Sequence, residues 1–252
     1  MIDPALAFLV ATIAVGTYFQ TVTGFGLGMI VMGAASAFGL APLPEVAAVV
    51  SLVTLMNSAV VLRGRLHLID WPAATAILIG VLPATVAGVL LLDYLSSSTS
   101  QVLKVLLGTT ITASGIVFAL RPAQRARRSG NASFFASGLF AGLFGGLFGM
   151  AGPPVIFHFY RQPMSLEAVR GMLLLVFACT SASRTVFVGA QGGLTTQVWM
   201  LAGVAVVFAT VSAVLGHRYP PPLAPLTMRR IAYCTLVLIG LGLVASASGA
   251  AH

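Results

Sequence analysis

Charge is what this sequence has least of. Only 7% of its 252 residues are Asp, Glu, Lys or Arg, where soluble domains carry about 25%. With 58% hydrophobic residues, no soluble core could absorb so much apolar surface. The solvent must be lipid. Acids are scarcest, 5 against 13 basic residues, for a formal charge of +8. All five (Asp3, Glu45, Asp70, Asp93, Glu167) fall at or near the ends of apolar runs. That excludes a mid-membrane carboxylate relay. Cysteine is limited to Cys179 and Cys234, both inside apolar runs. They read as small hydrophobes, neither a disulfide nor a metal pair. No nucleotide, metal or covalent-catalysis motif is visible, so no cofactor is expected and the chain is not read as an enzyme. Met1-Ile2-Asp3-Pro4 lacks the basic region of a removable signal peptide.

The basic residues that are present sit in short gaps between apolar runs, as in cytoplasmic loops. They form no polar, foldable face for nucleic acid. Attraction of an anionic substrate is a second use for them. The lipid bilayer is the expected partner, with lipid headgroups against Arg121-Pro122-Ala123-Gln124-Arg125-Ala126-Arg127-Arg128.

Apolar runs between polar gaps give ten segments. Short ones at about 4–19 and 24–40 precede long ones at about 44–62, 71–92 and 99–120. The pattern returns with short segments at about 132–147 and 153–160, then long ones at about 165–189, 196–216 and 227–247. Crossing takes about 20 residues, so six segments are comfortable spans and four are short. A shift of 125 places Gly149 on Gly24. The expected organisation is a first membrane repeat over 1–120, a basic cytoplasmic linker over 121–130 and a second membrane repeat over 131–252.

Charge then sets topology. Gaps with basic residues are Arg63–His67, Arg121–Arg128, Arg161 and His217–Arg230; those near 41–45, 93–98 and 190–195 have no Lys or Arg. If each short pair is a re-entrant hairpin, every basic gap falls on one side, as the positive-inside bias expects. Three net crossings per half invert the second half relative to the first. The fold class is therefore an all-α polytopic membrane protein of two inverted repeats. Each repeat is a broken re-entrant helical hairpin plus three transmembrane helices.

The breaks are glycine-rich: Gly24-Phe25-Gly26-Leu27-Gly28, and Gly145-Gly146-Leu147-Phe148-Gly149-Met150-Ala151-Gly152-Pro153-Pro154. Irregular backbone at membrane depth survives only when buried in protein or lining a wet cavity. A helix restarting there offers unpaired N–H groups and a positive dipole end to an anion. Pro153 and Pro154 suit a helix start. Substrate contacts are expected from Gln20, Thr21, Thr23, Gly24, Gly26 and Gly28, and from Gly149, Ala151 and Gly152. Close helix packing is the competing use of such glycines.

Further candidates are polar residues inside spans. Asn57 either lines a cavity or bonds a neighbouring helix. His158 is a substrate donor, a proton carrier or a structural group. Arg170 and Arg184 share one face of a span. They either snorkel to the interfaces or line an electropositive path, where a guanidinium fork matches two oxygens of an oxyanion. Arg184 is the candidate carried forward. Proton coupling, if it exists, would use His158 or a proton on the substrate; oligomeric state stays open.

The runs Thr23-Gly24-Phe25-Gly26-Leu27-Gly28 and Gly142-Leu143-Phe144-Gly145-Gly146-Leu147-Phe148-Gly149-Met150-Ala151-Gly152-Pro153 carry a family resemblance. Over nearly its whole length the chain resembles the sulfite exporter TauE/SafE family of membrane permeases. That family commonly shows a denser glycine triplet than Gly26-Leu27-Gly28 or Ala151-Gly152-Pro153. The resemblance implies transport of sulfite, an organosulfonate or a related sulfur anion. The expected function is a secondary transporter, an exporter, in a bacterial inner membrane, with alternating access at a midplane site between the hairpins. An anion channel using the same helix ends, but with a continuous pore, is the alternative.

Overall fold

In lipid every backbone N–H and C=O must find its partner within the segment, so each apolar run becomes a helix. The computed structural model describes residues 4–62, 66–98, 100–119, 124–219 and 225–249. Among them are ten α-helices and no strand. The first half holds α1 (Pro4–Thr23), α2 (Leu27–Phe38), α3 (Leu43–Leu62), α4 (Trp71–Ser98) and α5 (Ser100–Ala119). The second holds α6 (Asn131–Phe148), α7 (Gly152–Tyr160), α8 (Leu166–Ala190), α9 (Thr196–Arg218) and α10 (Pro225–Gly249). The chain is an all-helical polytopic membrane protein. Arg63, Arg65, Arg121 and residues 220–222 lie outside the described residues, as do the side chains of Thr23, Pro153, Arg229 and Arg230.

Element lengths differ from the sequence reading in one respect. Both arms of each broken pair read as short, yet α1 has 20 residues and α6 has 18. Both reach span length, and only the returning arms are short, 12 residues in α2 and 9 in α7. The helix runs on until a glycine takes positive φ: +91° at Gly24 and +64° at Gly149. Only glycine enters that region without penalty. Each pair then folds back on itself. Phe8 of α1 meets Phe38 of α2 with ring centroids 5.1 Å apart, and Phe134 of α6 lies 5.9 Å from Phe159 of α7.

Helix contacts are reciprocal between the halves. The first helix packs on α9 and its counterpart α6 on α4; α2 packs on α10 and α7 on α5. At the centre α3 packs on α8, and α3 is buried from Val46 through Val53. Many large apolar side chains are left exposed along the helices, Ile79 and Leu82 on α4 and Val207, Val211 and Val214 on α9 among them. An apolar belt of this kind suits lipid and not water.

Small residues set the closest approaches. Along α6, a methyl group at Gly138, Gly142 or Gly146 would collide with the α4 carbonyls of Ile77, Val81 and Thr85 respectively. A Cβ at Gly108 of α5 would lie 2.8 Å from the Gly240 carbonyl of α10. The glycine-rich run of α6 therefore serves packing at every fourth position and the break at its end.

At one end of the molecule three polar gaps meet. Arg128 pairs with Asp70 at 2.8 Å, and the Arg125 N–H donates to the Arg161 carbonyl at 2.7 Å. Gln162, fully buried, accepts from the Ser129 N–H at 2.9 Å and donates to Ser129 Oγ at 3.0 Å. At the opposite end of α5, Gln101 donates to the Ala247 carbonyl of α10 at 2.9 Å.

Candidate functional site: the cavity between the broken helices

The two breaks touch. A Cβ at Gly28 would lie 2.8 Å from Met150 Cβ and 3.2 Å from the Gly149 carbonyl. Between them is a cavity of about 30 Å³. One water needs only ~10–15 Å³, so the space suits a small polar occupant.

Its walls come from corresponding places in the two halves. Gln20, Phe25, Gly26 and Leu27 line it from the first break; Gly145, Met150, Ala151 and Gly152 line it from the second. Each residue of the second set is its partner in the first shifted by 125. The turns follow the same rule, since the Gly24 N–H donates to the Gln20 carbonyl at 2.7 Å and the Gly149 N–H to the Gly145 carbonyl at 2.9 Å. The central helices close the remainder, with Thr54 on α3 and Phe177, Thr180 and Ser181 on α8.

The donors are unequal. Leu27, Gly28 and Met29 open α2 and line the cavity, and the first turn of a helix has N–H groups without intrahelical partners. Proline stands at N1/N2 of α7, where Pro153 and Pro154 carry no N–H. The first break therefore supplies most backbone donors. Gln20, Thr54, Thr180 and Ser181 add polar side chains, while Phe25, Met29, Met150 and Phe177 give an apolar wall. Among the described residues, no acidic one lines it. Helix-start dipoles with no carboxylate opposite them favour an anion.

Of the residues singled out in the sequence, Gln20, Gly26, Gly28, Gly149, Ala151 and Gly152 meet at the cavity. Gly24 makes the turn but faces Arg170, whose Cγ would lie 3.4 Å from an added Cβ. Thr21 donates back to the Thr17 carbonyl at 2.9 Å and faces Gly216 of α9. Asn57 is half-buried and His158 lies at the far end of α7, its ring edge-on to Phe134 at 4.6 Å. Neither lines the cavity.

The two arginines of α8 hold the broken helices. Arg170 donates from Nη2 to the Val22 carbonyl in the last turn of α1, at 3.2 Å. Arg184 donates from Nε to the Gly146 carbonyl in the last turn of α6, at 3.0 Å. Cations at helix C-termini oppose the dipole there. Arg184 is 1% exposed, enclosed by protein and not snorkelling. Sequence reasoning missed Thr54 and Met29, because helices that are apolar all round do not announce which face turns inward.

The chain matches the family described as "Sulfite exporter TauE/SafE" over residues 8–243. The chain belongs to the sulfite exporter TauE/SafE family. A relative from Cupriavidus necator, named "Probable sulfite/organosulfonate exporter TauE", is 53% identical over 242 residues, covering 96% of this chain and 94% of its own. No solved structure matches. TauE/SafE proteins are exporters, so the chain is a membrane transporter and not an enzyme.

Proposed function

We propose that this TauE/SafE protein exports a small sulfur oxyanion, sulfite or an organosulfonate, across a bacterial inner membrane. It is a secondary transporter working by alternating access at the cavity between the glycine breaks. The observation that carries this reading is that four residues of each half line one cavity and correspond pairwise at a shift of 125. A site built from equivalent parts of two repeats can be offered to either side by rocking one half against the other. The reciprocal contacts of α1 with α9 and α6 with α4 support two repeats, 1–120 and 131–252. Clustering of Arg125, Arg128 and Arg161 at one end supports a cytoplasmic linker at 121–130 and inverted repeats.

The substrate class follows from the relative's printed name together with the cavity's chemistry. The N–H groups of α2, the Gln20 amide and the hydroxyls of Thr54 and Ser181 bind the sulfonate or sulfite oxygens. Phe25, Met29, Met150 and Phe177 pack against the organic part of a sulfonate. The test is efflux of labelled sulfite and labelled taurine from proteoliposomes, with and without a pH gradient. Efflux of either above protein-free vesicles is expected; none of either would refute the substrate class. Acceleration by the gradient would add proton coupling.

A further inference from the structure

Arg184 heads the fully buried side chains by volume. It sits one helical turn beyond Thr180 and Ser181, which line the cavity, on the way to the end of α8. Its Nε is held by the Gly146 carbonyl, but its Nη1 is buried with no hydrogen-bond partner. The neighbouring Thr185 Oγ1 is also buried and unpartnered. By contrast Thr17, Ser51, Thr85 and Thr180 each donate to the carbonyl four residues back. No carboxylate among the described residues is in ion-pair contact with Arg184. Among the described residues the ion pair is Arg128–Asp70.

A cation enclosed without a counter-ion loses hydration that one neutral carbonyl does not restore. A Met or Leu would fill the same space at no such cost. The deficit disappears when an anion arrives. We propose that Arg184 and Thr185 form an outer oxyanion subsite, one turn from the cavity, which the exported anion occupies as it leaves. There the guanidinium exchanges the Gly146 carbonyl for substrate oxygens, and the Thr185 hydroxyl donates to another. The proposal rests on the reading of the cavity as the transport site.

Sequence correspondence makes the subsite one-sided. A shift of 126 relates Thr54 to Thr180, both at the cavity, and the same shift relates Ser58 to Arg184. Ser58 is fully buried and its hydroxyl too has no partner. The two sides are therefore unequal: on one the unpartnered guanidinium of Arg184 is enclosed, while on the other stand the Ser58 hydroxyl and Arg170, which is only half-buried. The enclosed cation thus lies on the Arg184 side, which the charge-based topology places outside.

The test uses purified full-length protein, with unfolding temperature measured in sodium sulfite or sodium methanesulfonate against sodium chloride of equal ionic strength. Counterflow of labelled sulfite in proteoliposomes runs alongside. Wild type is expected to be stabilised by the oxyanions; Arg184→Gln loses that shift and Arg184→Lys keeps part of it. Thr185→Val is expected to raise the counterflow KM about tenfold without lowering the unfolding temperature in chloride. Equal stabilisation of wild type and Arg184→Gln, or none of wild type, overturns the subsite. If Arg184→Gln does not fold, wild-type KM in both Arg184→Lys and Thr185→Val overturns it. Stabilisation through Arg184 in a protein that moves no sulfur anion would defeat the transport reading and leave the subsite. Transport with unchanged affinity in Arg184→Gln would do the reverse.

Discussion

Gly28 lies against Met150 so closely that a Cβ on the glycine would stand 2.8 Å from Met150 Cβ. The start of α2 and the turn after α6 thus share one contact, with the cavity beside it. A change at one break is felt at the other.

Gly28→Ala tests that contact. In an ordinary helix the change would gain about 1 kcal/mol; here the new methyl overpacks Met150, at about 1–3 kcal/mol. The small net loss leaves the protein folded while the breaks no longer fit. Sulfite efflux per folded protein is expected to fall at least about tenfold. Gly146→Ala is the comparison, because its methyl meets the Thr85 carbonyl and the Gly88 Cα of a rigid neighbouring helix. Its unfolding temperature is expected to fall further than that of Gly28→Ala. Unaltered efflux in Gly28→Ala would mean that contact between the breaks does not matter to transport.

Thr54→Val keeps the shape of the side chain and removes one hydroxyl from the cavity wall. Losing one hydrogen bond to a charged ligand is worth about 1.5–3 kcal/mol. The KM for sulfite is expected to rise about tenfold or more, with the unfolding temperature little changed. Asn57→Ala, at a half-buried position away from the cavity, is expected to leave KM within about twofold of wild type. The same KM rise in both variants would contradict the assignment of the wall.

The Asp70–Arg128 pair makes an acid-sensitive contribution to stability. Burial pushes the Asp70 carboxyl up, but hydrogen bonds from Arg128 and the Ala73 N–H, with the Arg128 charge, hold it below its ordinary 3.8. A carboxylate lowered on folding adds stability that is present above the unfolded value. That stability is lost as pH falls through the folded value. Wild type is therefore expected to exceed Asp70→Asn in unfolding temperature at pH 7, the gap closing once pH drops below 3.8. A gap that widens in acid would contradict it.

Sidedness follows from where the basic gaps meet. In a protein lacking Cys179 and Cys234, a cysteine replacing exposed Ser97 is expected to react with an impermeant maleimide from outside. One replacing exposed Ala126 should react only from inside. Labelling of both from the same side would defeat the re-entrant arrangement and the inverted repeats with it.

Much of this was legible because lipid simplifies the code. Ten apolar runs became ten helices, and Gly24 and Gly149 stood out because only glycine turns the chain at positive φ there. Arm lengths were harder to read. In α6, Gly142, Gly145 and Gly146 look like part of the break, but Gly142 and Gly146 pack on α4 while Gly145 faces Thr180 and the cavity. Thr54 sits in a helix buried on several sides, where no period marks a face. Arg184 was visible as an intramembrane cation, but its bond to Gly146 depends on a helix thirty-eight residues earlier. His158 and Asn57 carry polar groups that sequence alone could not separate from cavity residues.

Counterflow is the most direct test of a site between the two breaks that faces one side at a time. Proteoliposomes loaded with unlabelled sulfite are diluted into a trace of labelled sulfite. The account predicts transient accumulation of label above its external concentration in wild type, and none when Gly28→Leu fills the contact at Met150. Label that only equilibrates in wild type, with flux that does not saturate, would mean a continuous pore and would contradict alternating access.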